Sequence, residues 1–229
     1  MSQLALPLQL DDHAVFESFL GSGNETLVAA LQAVAAGEEL AGCYLWGAAA
    51  TGKTHLLQAA CERAGDRSIY VPLAMFAAAG PEALDGLASR ELVCIDDLDR
   101  VVDDGRWEAA LFDLMNQLHD AGGQMVVAAS ASPRELNIQL PDLRSRLSRM
   151  PVFQLHELHE PDRLHALQLR SRHRGIQLPD ETAQYLIKRS RRDMASLYAL
   201  LDQLDHAALR AQRRLTVPFV RDVLQQDER

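Results

Sequence analysis

Eight consecutive residues, Gly47, Ala48, Ala49, Ala50, Thr51, Gly52, Lys53 and Thr54, spell GxxxxGKT, and the pattern sits between an apolar run, Cys43 to Trp46, and a helical one. That context is what a phosphate cradle requires. The glycines let the backbone curl so that successive amides point at phosphate oxygens, and the start of the following helix adds a favourable dipole. Lys53 supplies a compact cation for the β and γ phosphates, and Thr54 a hydroxyl for Mg²⁺. Lys53 is one of only two lysines in a chain that otherwise uses arginine, whose forked, delocalised charge is not an equivalent replacement. Roughly 40 residues on, Leu92, Val93, Cys94 and Ile95 run into Asp96 and Asp97. A buried strand ending in paired carboxylates suits a magnesium-orienting acid followed by a residue that polarises water. Asp97 is one methylene shorter than the glutamate common at such a place. The segment Pro141, Asp142, Leu143, Arg144, Ser145, Arg146, Leu147 carries two arginines, either of which could reach a neighbouring molecule's γ-phosphate.

The elements that must position these groups alternate. Strand candidates at Cys43 to Trp46, Ser68 to Pro72, Leu92 to Ile95, Met125 to Ala129 and Val152 to Leu155 recur about every 25 to 35 residues. Between them, Leu56, Leu57, Ala60 and Cys61 share one face of a helix over Thr54 to Ala64, and Trp107, Leu111, Leu114, Met115 and Leu118 share one over Trp107 to His119. Such alternation predicts an α/β fold, a parallel five-stranded sheet covered by helices. Asn24 is the expected N-cap of a helix from Glu25 to Ala36 that stops at Gly37. After Pro161 the strand pattern ceases. Helices are predicted at about Asp162 to Arg174, Asp180 to Ser190, Asp193 to Gln212 and Pro218 to Gln226, a small all-α module.

The chain has 229 residues, 48% hydrophobic and 24% charged, which excludes collagenous, low-complexity and wholly disordered classes. The longest uncharged stretch, Ser68 to Pro81, is too short for a bilayer, and the N-terminus meets Asp11 and Asp12 without a basic region, so a cytoplasmic protein without membrane attachment is expected. Cys43, Cys61 and Cys94 lie in apolar patterns and read as reduced, buried thiols. The net charge of −9 argues against coating nucleic acid, and no strong direct nucleic-acid binding is expected. The charge is uneven: residues 1–160 carry −13 and residues 161–229 carry +4. Arg170, Arg172, Arg174, Lys188, Arg189, Arg191 and Arg192 make the second part basic, which fits the wet faces of helices better than a phosphate-binding patch.

Taken in order, GAAATGKTHLLQAA, LVCIDDLDRV, VVAASASPREL, LPDLRSRL and the helical tail resemble AAA+ P-loop ATPases of the DnaA branch, over nearly the whole chain. The tail LHALQLRSRHRGIQLPDETAQYLIKR with LDQLDHAALRAQRRLTVPFVRDVL is similar to the Hda family, the DnaA-homologous regulatory inactivators, which lack the flanking domains of DnaA. The resemblance implies an AAA+ nucleotide-binding domain over residues 13–160 and a helical lid over 161–229. It implies that Gly47, Ala50, Thr51, Gly52, Lys53, Thr54 and His55 hold an adenine nucleotide, ADP or ATP. Thr54 and Asp96 would act on Mg²⁺ through that nucleotide, Asp96 and Asp97 form the Walker B pair, Ser130 falls at sensor 1, and Arg146 is the arginine finger. The sensor 2 arginine of relatives aligns with Ala195, with Arg191 and Arg192 beside it. That loss fits an ADP-bound working form with at most weak hydrolysis of its own, and the family also implies a homo-oligomer when nucleotide-free. Residues 1–12 are expected to be a clamp-binding peptide, because Gln3, Leu4, Leu6, Pro7 and Leu8 resemble the peptide that docks on the DNA polymerase III sliding clamp. A polar amide with spaced leucines suits a pocket with one polar anchor and an apolar floor.

The function implied is negative control of replication initiation: a clamp-tethered protein that stimulates hydrolysis of DnaA-bound ATP. One rival is a helicase loader of the DnaC type, against which the acidic balance and the terminal peptide count. The other is a small-molecule P-loop kinase, against which the arginine pair and the helical tail count. His156 and His159 lack the HExxH spacing of a zinc site. Phe16 and Phe19 with Asn24 resemble the family's latch by the adenine, although phenylalanines three apart commonly serve core packing.

Overall fold

The computed structural model describes residues 14–38, 42–189 and 193–227. Their contacts divide into two units, one containing Gly23–His156 and the other Glu17–Ser22 with Glu157–Arg229.

In the first unit the order is α1 (Glu25–Ala36), β1 (Gly42–Trp46), α2 (Lys53–Ala64), β2 (Ser68–Pro72), the single turn α3 (Leu73–Phe76), β3 (Leu92–Asp96), α4 (Gly105–Asp120), β4 (Gln124–Ala129), α5 (Pro141–Arg149) and β5 (Val152–Gln154). All pairings are parallel, in the order β2-β3-β4-β1-β5. The chain leaves β1 for the far edge, returns through β3 and β4 to lie beside β1, and then steps over it to β5. The strand order therefore reverses at β1, and the crevice at the carboxyl ends of the strands there is where an open α/β sheet takes a ligand. Trp46, Asp96 and Ala129, the last residues of β1, β3 and β4, all face that end.

Both sheet faces are covered, so the central strands are apolar throughout rather than alternating. Tyr44, Val93, Ile95 and Val127 pack on one side with Trp107, Leu111, Leu114 and Leu118 of α4 and Leu143 and Leu147 of α5. Leu31 and Val34 of α1 and Leu56, Leu57 and Ala60 of α2 are fully buried, and both helices pack together and against strands. The three cysteines are free and buried, and burial pushes the Cys43 thiol up to about 12.

Element limits follow local chemistry. Gly37 ends α1 in the left-handed region (φ 79°), where its amide bonds Val34 O at 3.0 Å and the Glu38 amide bonds Ala33 O at 3.1 Å. Asn24 stands at the N-cap as expected, but its side chain makes no cap bond. It spans instead to the strand end: Nδ2 donates to His156 O at 3.3 Å and Oδ1 accepts from His156 N at 2.9 Å. A buried amide serves two main-chain groups there, which outweighs one cap.

Gly42 is the glycine with the sharpest requirement. Its φ of 87° is the left-handed region, and a Cβ would collide with the Met125 carbonyl of the paired strand. Gly42→Ala is expected to lower stability by roughly 2–4 kcal/mol, read as a shift of the urea midpoint, because strain and a main-chain clash act together.

The second unit holds α6 (Glu160–His173), α7 (Asp180–Arg189), α8 (Met194–Ala211) and α9 (Val217–Asp227). Ala166, Leu167, Ala183, Leu186, Leu197, Leu201, Leu204, Phe219 and Val220 form its core, with Leu20 against it. Asp193 caps α8, its carboxylate accepting from Ser196 N at 2.8 Å. Arg170 is stacked on Tyr198, 4.4 Å from the ring centre, and Arg174 pairs with Asp202, so two arginines of the basic stretch are spent inside this unit. Among the described residues no helix is long and apolar enough to cross a membrane.

Candidate functional site

The turn after β1 is built from the residues whose spacing singled it out. Gly47 is buried, and a Cβ there would stand 2.5 Å from the Leu155 carbonyl, so no larger residue passes between β1 and the chain leaving β5. Ala50 (φ 62°) and Gly52 (φ 104°) occupy the left-handed region, which curls the loop. α2 then starts at Lys53 with Gly52 at its N-cap. A glycine brings no side-chain oxygen to the leading amides of the helix, which leaves that end suited to an external anion.

Lys53 reaches back over the loop, its Nζ donating to Gly47 O at 2.7 Å and Ala48 O at 2.8 Å. Burial lowers the ammonium's pKa, opposed by the negative charges of Asp96, Asp99 and Asp97. Thr51 Oγ1 donates to Ala48 O at 3.0 Å. Thr54 Oγ1 donates to Asp96 Oδ2 at 2.6 Å, so the structure brings the loop hydroxyl and the acid at the end of β3 together. His55 is turned to the N-terminal segment, its Nε2 lying 3.0 Å from Val15 O.

Asp96 is buried and engaged on both oxygens: Oδ2 also accepts from Tyr70 OH at 2.9 Å, and Oδ1 from Asp97 N at 2.9 Å. Asp97 is half-buried with φ 57°. Burial raises its carboxyl pKa, and the neighbouring charges of Asp96 and Asp99 raise it further. A carboxylate with a raised folded-state pKa favours the native state least when ionised, so its penalty is absent below the unfolded value and grows as pH rises through the folded one. Asp97→Asn is therefore expected to raise the melting temperature slightly at pH 7. The gain should fade as pH falls below the ordinary carboxylate range, which thermal unfolding across pH measures.

Ser130 follows β4 directly, between the ends of β1 and β3 in the sheet order, and is exposed. Its amide donates to Asp99 Oδ1 at 2.9 Å. Arg146 lies on the second turn of α5 and is half-buried. Its Nη2 donates to Asn116 Oδ1 at 2.5 Å, and its guanidinium carbon is 5.8 Å from the centre of the Phe112 ring. Arg144, the other candidate, is exposed.

Tyr70 escaped sequence reading, and Asp99, which reads from sequence as part of a solvated acidic loop, instead holds the Ser130 amide. Tyr70 looks like any aromatic of a strand, and only the β2–β3 pairing, Pro72 opposite Asp96, brings its hydroxyl to the acid. Among the described residues no cluster of three or more His, Cys, Asp or Glu side chains is arranged to hold a metal. The Thr54–Asp96 pair fits a cation that arrives with a phosphate ligand rather than one caged by protein.

Residues 43–155 match the ATPase family associated with various cellular activities, and residues 160–224 match the lid domain of Hda. Domain III of the Thermotoga maritima replication initiation protein DnaA superposes with a TM-score of 0.78 at 22% identity, over 95% of this chain and 98% of that one. The chain is an AAA protein with an Hda-type lid domain. AMPPCP-bound DnaA from Aquifex aeolicus shares the fold at a TM-score of 0.71 and 23% identity, over 86% of this chain and 66% of that one. The Thermotoga maritima RuvB branch migration motor does so at 0.66 and 18%, over 90% and 69%.

Ala195, at the position expected of sensor 2, is exposed in the first turn of α8. Arg191 and Arg192 lie outside the described residues, as do Gln3, Leu4, Leu6, Pro7 and Leu8.

Proposed function

We propose that this chain is a DnaA-related replication regulator that binds an adenine nucleotide and promotes hydrolysis of ATP held by DnaA. The observation that carries the nucleotide half is the convergence of Lys53, Thr54 and Asp96 at the carboxyl end of the sheet, with Thr54 and Asp96 2.6 Å apart. Lys53 would hold the β and γ phosphate oxygens, and Thr54 with Asp96 would hold Mg²⁺, which supplies charge neutralisation when bound. The relative crystallised with AMPPCP shares this fold and supports an adenine nucleotide.

Own hydrolysis is slow on this reading. Ala195 offers no cation to the γ-phosphate, and Ser130 brings a hydroxyl rather than an amide or a charge. ADP is then the resident nucleotide, and the catalytic contribution is made in trans by Arg146. Gln3, Leu4, Leu6, Pro7 and Leu8 tether the chain to the sliding clamp of DNA polymerase III in the cytoplasm, which raises its local concentration where DnaA is to be switched off.

Turnover of DnaA-bound ATP tests this, measured with clamp loaded on DNA and with clamp free in solution. The intact chain should accelerate turnover only with loaded clamp, and a chain lacking residues 3–8 should lose that dependence together with most of the acceleration. Equal stimulation by both chains would remove the clamp from the reading, and no stimulation by either would remove the function.

A further inference from the structure

α4 carries Glu108, Phe112 and Asn116 at i, i+4 and i+8, one side of the helix, and all three meet the segment that bears Arg146 or the arginine itself. Glu108 is fully buried, with three main-chain amides on its carboxylate: Oε1 accepts from Gln139 N at 3.0 Å and Asp103 N at 3.3 Å, and Oε2 from Leu140 N at 2.6 Å. Leu140 is the N-cap of α5, so this carboxylate fixes how α5 enters. One turn further along α4 Phe112 underlies the Arg146 guanidinium, and two turns further Asn116 takes one arm of it.

We propose that this face of α4 presets Arg146, with Glu108 and Asn116 as positioning residues for the trans contact. The inference rests on Arg146 being the finger, as proposed above. A long arginine left free in solvent must be ordered when it meets its target, and a guanidinium already stacked and bonded has less freedom to lose. The chemistry of the acceptor matters as much as its place. Asn116 is a neutral amide, which fixes direction without neutralising the cation, so the positive charge stays available to an anionic γ-phosphate. A carboxylate at the same position would keep the hydrogen bond and cancel the charge.

The test is the maximal rate and half-saturating concentration for stimulated turnover of DnaA-bound ATP, with thermal unfolding of each variant alongside. Asn116→Ala is expected to lower the maximal rate about tenfold with half-saturation and melting temperature nearly unchanged. Asn116→Asp, which retains an acceptor, is expected to fall at least as far. A merely structural acceptor would leave Asn116→Asp at the wild-type rate. Glu108→Gln, of equal size, should lower the maximal rate in the same way, and the Asn116 variants decide the matter should it unfold. Full rates for both Asn116→Ala and Asn116→Asp, or for Asn116→Asp alone, overturn the proposal if Arg146→Ala is inactive. A full rate for Arg146→Ala overturns the finger assignment beneath it.

Discussion

Replacing Lys53 by alanine is expected to weaken adenine-nucleotide affinity by about two to three orders of magnitude, measured by titration calorimetry in Mg²⁺. The size follows from removing the cation from a partly enclosed phosphate site, which costs roughly 3–4 kcal/mol when the anion is left with amides alone. The fold should survive. Among the described residues Lys53 bonds the carbonyls of Gly47 and Ala48, and Ala48 is exposed, so water replaces the ammonium at small cost. Melting without nucleotide should barely move, while the rise in melting temperature on adding nucleotide should vanish. Lys53→Arg should not restore binding, because a planar fork cannot occupy the place of a point charge between two carbonyls and a phosphate. Unchanged affinity in Lys53→Ala would mean that the loop is not the phosphate site.

Where local pattern and tertiary demand agreed, the sequence was readable to the residue. β2 at Ser68–Pro72 and α1 at Glu25–Ala36 coincide with the expected limits, since one is bounded by turn chemistry and the other by Gly37. Other limits moved by a residue or two, as α4, which begins at Gly105 under an Asp104 cap instead of at Trp107. The glycine-rich turn and paired aspartates could be found because their chemistry demands consecutive residues. Tyr70, Asp99 and Glu108 could not. Each acts on a group 26 or more residues away, Tyr70 on Asp96, Asp99 on Ser130 and Glu108 on Gln139 and Leu140 in part, and only the packed sheet creates those neighbours. Glu108 is the clearest case: three residues before Leu111 and seven before Met115 it lies at the edge of the apolar face, where an acid needs partners, and the three amides that hold it inside come from residues the helical pattern does not show. Asn24 shows the converse, where a correct position concealed a different task.

Replacing Arg146 by alanine is expected to abolish stimulation of DnaA-bound ATP turnover, a loss on the order of 10³ where an arginine supplied in trans sets the transition-state charge. The loss should fall on the maximal rate, with the half-saturating concentration little changed, because a group that acts only as charge develops contributes nothing to docking. Stability offers a control. Arg146 is half-buried, with one hydrogen bond to Asn116 and a stacking contact on Phe112, interactions that together contribute about 1 kcal/mol at such exposure. The variant should therefore fold, bind nucleotide through Lys53 as before, and melt within a few degrees of the parent. Arg146→Lys separates charge from geometry: it retains the cation but loses the planar fork that bonds Asn116 and stacks on Phe112. If charge alone were sufficient, Arg146→Lys would keep most of the rate. If the preset fork is what matters, it should recover little, and Arg144, exposed one half-turn away, should not compensate in either variant.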